Sequence, residues 1–354
     1  TNAVLYWAVG GAATSHLVHI DYSANGGSTW TNIATNVSAT AGSVSWDTLA
    51  YGGSPQGKWR VVSQTDGSIL DETDSKFALN NGAMIYYVND STWNSSDVYT
   101  LTAGNPLNDG LTSGSPLDSI QTVINRFDLY PGDKILVDTG VYQIDSVISM
   151  GASFAGLATN MIVIQGSTNK AAGGTVIDCQ NLCDAFALNH SDYVSMNNLN
   201  IINARTGVRV THSEGCRVEW LSVIKGGYGY VVDTCTNVSF RHCLAVNVTT
   251  SGLLNASATG IEWHHGVMWS NRVAFDLGSS ISFPGSPAGS LLVANSVIGA
   301  FGGNSLAYQL EGGSVSSADN CVFITNGAYV AEAAGAVFSV YYDSVSRWAR
   351  DTGN

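Results

Sequence analysis

Four segments decide the fold: Val194-Ser195-Met196-Asn197-Asn198-Leu199-Asn200-Ile201, Cys216-Arg217-Val218-Glu219-Trp220-Leu221-Ser222-Val223, Val238-Ser239-Phe240-Arg241-His242-Cys243-Leu244-Ala245 and Ile261-Glu262-Trp263-His264-His265-Gly266-Val267-Met268. Their starts are 22, 22 and 23 residues apart. The first three read apolar-x-apolar-x-x-apolar-x-apolar, and the fourth has Gly266 at the third apolar place. The pattern returns at Leu291/Val293/Ser296/Ile298 and at Ser316/Ala318/Cys321/Phe323. A second short apolar run follows in three coils, at Gly207–Val210, Gly229–Val232 and Gly252–Leu254. A repeat of this length is a solenoid coil: alone it cannot bury its apolar face, but stacked coils share one core. Leucine-rich repeats have a similar period, but their Leu/Asn consensus is missing. The pattern predicts a parallel β-helix.

Composition agrees. The 354 residues are 45% apolar but only 12% charged, with 39 Gly and a formal net charge of −13. Ordinary soluble proteins carry about twice that charged fraction. The balance excludes a coiled coil, a basic nucleic-acid binder and a charge-rich disordered chain. No apolar run reaches the ~18 residues of a membrane span, and no signal-peptide pattern opens the chain. Low charge with abundant turn residues reads as an all-β, extracellular or cell-surface protein. Cys216, Cys243 and Cys321 fall on core positions of the repeat and are expected as buried thiols. The Cys179–Cys183 spacing leaves open a small-loop disulfide or two free thiols.

Upstream the character changes. Residues 1–82 alternate apolar and polar residues between turn clusters, with strands expected at Val4–Val9, His16–Ser23, Ser43–Asp47, Lys58–Gln64 and Lys76–Leu79. Trp7, Trp30, Trp46 and Trp59 are expected to fill a small sandwich core. The stretch from Ile20 to Trp30, with Asn25-Gly26-Gly27 at its turn, resembles the second-strand hairpin of immunoglobulin/fibronectin-like modules in large secreted bacterial proteins. In that resemblance the first strand would precede residue 1. Residues 83–354 form the β-helix, with a cap over 83–131. Within the cap, Ser115-Pro116-Leu117-Asp118 reads as a helix start and places a helix near 116–128. Tyr86-Tyr87-Val88, Asn108-Asp109-Gly110-Leu111, Pro131-Gly132-Asp133 and Gly140-Val141-Tyr142 resemble the N-terminal cap of right-handed parallel β-helices in pectate-lyase-like proteins. That resemblance implies fold, since the class holds both enzymes and non-enzymes.

Stacking turns the outward residues into columns about 4.8 Å apart. One column is Asn197, Glu219, Arg241, His264, and the next is Asn198, Trp220, His242, His265. Beside them run Ser195, Arg217, Ser239 and Glu262. Residues 205–272 carry a net charge of +2 against −15 for the remainder, and hold four of the seven histidines. Such a strip suits an anionic glycan, with Glu219, Arg241 and His264 as catalytic candidates. Arg217, Trp220, His242, Glu262 and His265 are the ligand-binding candidates, Trp220 as a sugar-stacking platform. The alternative is a structural ladder, with Arg241 ion-paired between Glu219 and Glu262.

A β-eliminating lyase needs a base, which Arg241, His242, His264 or Lys225 would supply, and a group that neutralises the sugar carboxylate. Glu219 and Glu262 would serve a calcium ion, or, roughly 9–10 Å apart if stacked, an inverting hydrolase. Asn105, Asn108 and Asp109 are weak calcium candidates in a loop whose plainer reading is an Asx turn. No other cofactor is expected. The repeat still runs at Val337–Tyr342 without an evident cap, so neighbouring copies are expected at open ends. The first reading is a structural or adhesive extracellular β-helix, in a surface assembly, filament or modular adhesin touching glycans. The second is a secreted lyase or hydrolase acting on an acidic polysaccharide.

Overall fold

The computed structural model describes residues 2–8, 10, 15–79, 81–278, 289–300, 306–310, 315–319, 321–325, 330–332 and 337–341. The chain divides into two compact units, Thr1–Met84 and Ile85–Asn354.

The first unit is antiparallel. Asn2–Tyr6 pairs with Ser43–Asp47 in a two-stranded sheet, and a second sheet runs Thr31–Ser38, Leu17–Ser23, Ser54–Ser63, Ile69–Glu72. Two of these strands, Thr31–Ser38 and Ile69–Glu72, carry little apolar alternation and were not expected. Trp7, Val18, Ile20, Tyr22, Trp46 and Val61 form the core. Trp59 packs on it half-buried. Trp30 does not join it: its ring lies under the Arg60 guanidinium, 4.2 Å from the centroid, in a cation–π contact.

The second unit is a parallel β-helix. One face is a ten-stranded parallel sheet from Ile85–Val88 through Lys134–Val137, Ile162–Gly166, Val194–Asn197, Arg217–Glu219, Ser239–Arg241 and Ile261–His264 to Val337–Tyr341. The other strands of each coil join a branched fourteen-stranded sheet. The second run of each coil is not a separate short strand in the first two coils. Leu199–Thr211 and Ser222–Asp233 are continuous strands that bend in the middle.

The bends follow a rule. Left-handed residues recur in register at Tyr193/Gly215/Asn237/Gly260, at Asn198/Trp220/His242/His265/Asn295, at Asn203/Lys225/Asn247/Ser270 and at His190/His212/Thr234/Ser257. Each coil therefore turns on single residues with φ between 50° and 67°. A non-glycine residue tolerates this region poorly, so the cost must be offset by what the corner gains. The gain is a continued backbone ladder: Trp220 N–H donates to Arg241 O, His242 N–H to His264 O and His265 N–H to Ala294 O, at 3.0–3.1 Å.

Inside, the repeat fills as its spacing predicts. Val194, Met196, Val218, Phe240 and Trp263 are buried along one wall, and Ile201, Val223, Ala245 and Met268 along the next. Gly266 stands where the pattern calls for an apolar side chain because Trp263 occupies that volume: a Cβ there would lie 2.5 Å from the indole nitrogen. All six cysteines are free thiols and buried.

The helix lies later than the sequence suggested. It spans Ile120–Arg126, and Ser119, not Ser115, caps it by accepting from Thr122 N–H. Leu117 is instead extended, bridging Val88 in parallel, with Leu117 N–H to Tyr87 O and Asn89 N–H to Leu117 O. Ser115-Pro116 thus leads into a strand-like bridge, which wins over local capping propensity. The end of the expected terminal run, Tyr342 onward, lies outside the described residues.

Candidate functional site

The outward columns stand in the expected register. Arg217 pairs with Ser239 and Ser239 with Glu262, while Glu219 pairs with Arg241 and Arg241 with His264. Upstream, Ser195 and Asn197 meet Arg217 and Glu219. Glu219 and Glu262 are therefore two coils apart and also displaced by two residues along the strand. Their α-carbons are roughly 12 Å apart, which replaces the stacked separation expected from spacing alone.

On this face lies an open cleft of about 430 Å³, lined among others by Tyr193, Glu214, Arg217, Glu219, Arg241 and Glu262. Four of the expected site residues are thus brought together. Trp220, His242, His264 and His265 do not line it. Trp220, His242 and His265 sit on the left-handed corner, where their rings form a stack: 4.1 Å between Trp220 and His242, 5.2 Å between His242 and His265. Trp220 is 54% exposed, yet the imidazole takes one ring face, so the platform expected for a sugar is partly filled from within the chain. Lys225 occupies the next corner column. His264 stays at the edge of the cleft, its Nε2 3.2 Å from Glu262 Oε2.

The cross-strand ladder is absent. Among the described residues, neither Arg217 nor Arg241 makes a side-chain ion pair or hydrogen bond. Glu219 likewise has no side-chain partner, although Arg241 is its register neighbour. Of the other two carboxylates of the cleft, Glu262 is engaged with His264, and Glu214 lies near the Tyr193 phenol. Partial desolvation, then the adjoining Glu214 carboxylate, raise the Tyr193 phenol above its ordinary range, so it stays protonated at neutral pH. Two free guanidiniums with the unpartnered Glu219 carboxylate beside them are what this face of the cleft offers a ligand.

Tyr193 and Glu214 were missed as site residues because they sit at a corner, where turn chemistry is the default reading. A signal existed in the period: Gly215 and Gly260 fall in one column with Tyr193 and Asn237. Gly215 has φ +66°, and a Cβ there would come within 2.4 Å of the Tyr193 ring, so the phenol is seated over a glycine.

The weak calcium candidates are local turns. Asn105 Oδ1 accepts from Leu107 N–H and Asp109 Oδ1 from Leu111 N–H, while Asn108 Nδ2 donates to Pro116 O. No group of three or more His, Cys, Asp or Glu is placed to hold a metal among the described residues.

No family model matches the chain, and no curated protein matches it. Among solved structures it is similar to a rhamnogalacturonan lyase, with 11% identity and a TM-score of 0.40, covering 75% of this chain and 86% of that one. It is also similar to a mannuronic acid-specific family 6 polysaccharide lyase from human gut microbiota, with 13% identity and a TM-score of 0.41, covering 57% of this chain and 55% of that one. A third is a GH136 lacto-N-biosidase from Eubacterium ramulus, with 14% identity and a TM-score of 0.33, covering 74% and 67%. The chain thus spans about half the length of the family 6 lyase it matches. These neighbours are polysaccharide lyases and glycosidases, and likeness of this size leaves the functional argument to the site itself.

Proposed function

We propose that this chain is an extracellular carbohydrate-active protein that binds an acidic polysaccharide in the cleft and degrades it. The observation that carries the reading is the pair of unpartnered guanidiniums, Arg217 and Arg241, beside the unpartnered carboxylate of Glu219. A planar guanidinium matches a carboxylate in a two-pronged hydrogen bond, so a uronate is the ligand these two arginines fit.

The same arrangement favours elimination over hydrolysis. Neutralising the uronate carboxylate with Arg241 acidifies the C5 proton next to it, and Glu219, one coil away, is the group to accept that proton. The C4–C5 double bond forms as the C4–O glycosidic bond breaks, and the departing oxygen takes a proton from water. A hydrolase would need two free carboxylates facing one bond. Here Glu262 is already engaged by His264 and Glu214 stands at the Tyr193 corner, which leaves Glu219 as the carboxylate in register with Arg241. His264 then positions Glu262 at the edge of the cleft.

Titration calorimetry with a polyuronate and with a neutral polysaccharide tests the binding step. Selective binding of the polyuronate, weakened at least tenfold in Arg217→Ala and Arg241→Ala and reduced by added salt, is the expected result. Equal binding of the neutral polymer, or no effect of either substitution, would remove the cleft as the ligand site. Binding without turnover would return the chain to the adhesive reading.

A further inference from the structure

The coil that carries Cys179 and Cys183 departs from the regular path. Asp178 pairs with Ile202 and Phe186 with Val208 in the next coil. Cys179 N–H donates to Ile202 O, and Cys183 O accepts from Arg205 N–H. Five residues, 179–183, therefore stand over only the short stretch between Ile202 and Arg205. The excess loops outward as Gln180-Asn181-Leu182, closed by Leu182 N–H to Cys179 O at 2.8 Å and held down by Asn181 N–H to Asn203 O. Gln180 and Asn181 both adopt the left-handed region, at φ 53° and 63°.

The two cysteines are thus the neck of a three-residue outward loop. Their neighbours below are consecutive residues, which sets their α-carbons about 4–7 Å apart, within the window that a disulfide spans. Cys183 Sγ donates to Ile144 O at 3.8 Å, as Cys216, Cys235, Cys243 and Cys321 do to backbone carbonyls of the preceding coil. What sets Cys179 and Cys183 apart is that they stand four residues apart at the neck of one loop. The tip residues Gln180, Asn181 and Leu182 are exposed, while Cys179 is fully buried and Cys183 is 8% exposed.

We propose that Cys179 and Cys183 are a redox pair that closes to a disulfide under oxidising conditions and staples this loop. The inference is independent of the glycan reading. The oxidant is a disulfide-bearing small molecule such as oxidised glutathione. The Cys183 thiolate attacks one of its sulfurs and releases one thiol; the Cys179 thiolate then displaces the second, so two protein thiols become one disulfide and two small thiols form. Each cysteine loses its proton to solvent, and burial holds both thiols above their ordinary range, so closure is faster at mildly alkaline pH.

The test is to incubate the native full chain with oxidised glutathione at mildly alkaline pH, quench with iodoacetamide in denaturant, and digest with trypsin. The peptide from Ala171 to Arg205 contains both cysteines and no internal Lys or Arg. The expected product is that peptide two hydrogens lighter and unalkylated, with the other four cysteines alkylated. In Cys183→Ser, Cys179 should stay alkylatable after the same treatment. Full alkylation of both cysteines in the wild-type peptide, or a stable glutathione adduct on either, would overturn the proposal.

Discussion

Arg241 is exposed on the sheet face with nothing bonded to its side chain, and that decides what its removal should do. An exposed residue without partners contributes within about ±0.5 kcal/mol to folding. Arg241→Ala should therefore leave thermal unfolding almost unchanged while weakening polyuronate binding. A fall in melting temperature of several degrees would instead mean that Arg241 holds the coils together, as the ladder reading required. Glu219→Gln makes the complementary test: it should keep polyuronate binding within a few-fold of wild type and abolish turnover. These two residues separate holding the ligand from transforming it.

Between coils, the cap loop depends on one buried carboxylate. Asp138 accepts from the backbone N–H groups of Val98, Tyr99, Thr100 and Thr139 and from the Thr100 hydroxyl, at 2.6–2.8 Å. Removing it leaves several donors buried without an acceptor, each costing about 1–3 kcal/mol. Asp138→Ala should destabilise the β-helix by about 3–5 kcal/mol and raise hydrogen exchange first at the Val98, Tyr99 and Thr100 amides. Unchanged protection there would show that the loop is held by other contacts. At this scale the sequence was legible where geometry is periodic. The registers Asn197–Glu219–Arg241–His264 and Ser195–Arg217–Ser239–Glu262 could be read because stacking has one spacing and alternation has one phase. The corners could not. Trp, His, Lys, Asn, Ser and Thr all occupy left-handed positions there, so no residue type announces them. The helix cap was misplaced for a related reason: Ser115-Pro116 is a good local start, but the bridge from Leu117 to Val88 is a tertiary fact.

Across the whole molecule, the shared core carries a pH dependence. Burial pushes the thiols of Cys216 and Cys243 up to about 12, and those of Cys235 and Cys321 up to about 11, from a usual 9.0. A raised pKa of an acid means that the folded state keeps the proton which the unfolded chain releases. The stabilisation is complete below pH 9 and is lost as pH rises through the folded values, at about 1.4 kcal/mol per pH unit for each thiol. Melting temperature should thus fall steadily from about pH 9 upward, and replacing Cys216 and Cys243 with Val should flatten that fall. A pH-independent melting temperature over the range would contradict it. The charge distribution belongs to this scale too. A chain of net −13 that gathers +2 over residues 205–272 places six of its 14 Lys and Arg on the coils that carry the cleft, and among these described residues only Arg209 has an ion pair, with Asp184.

The most direct measurement is ultraviolet absorbance at about 235 nm, where the unsaturated product of uronate elimination absorbs, followed over time with a panel of polyuronates and neutral polysaccharides. The account predicts a rising signal with at least one polyuronate, none with neutral polymers, and its loss in both Arg241→Ala and Glu219→Gln. Polyuronate bound in the cleft with neither absorbance nor new reducing ends would contradict it, as would a rate that survives either substitution.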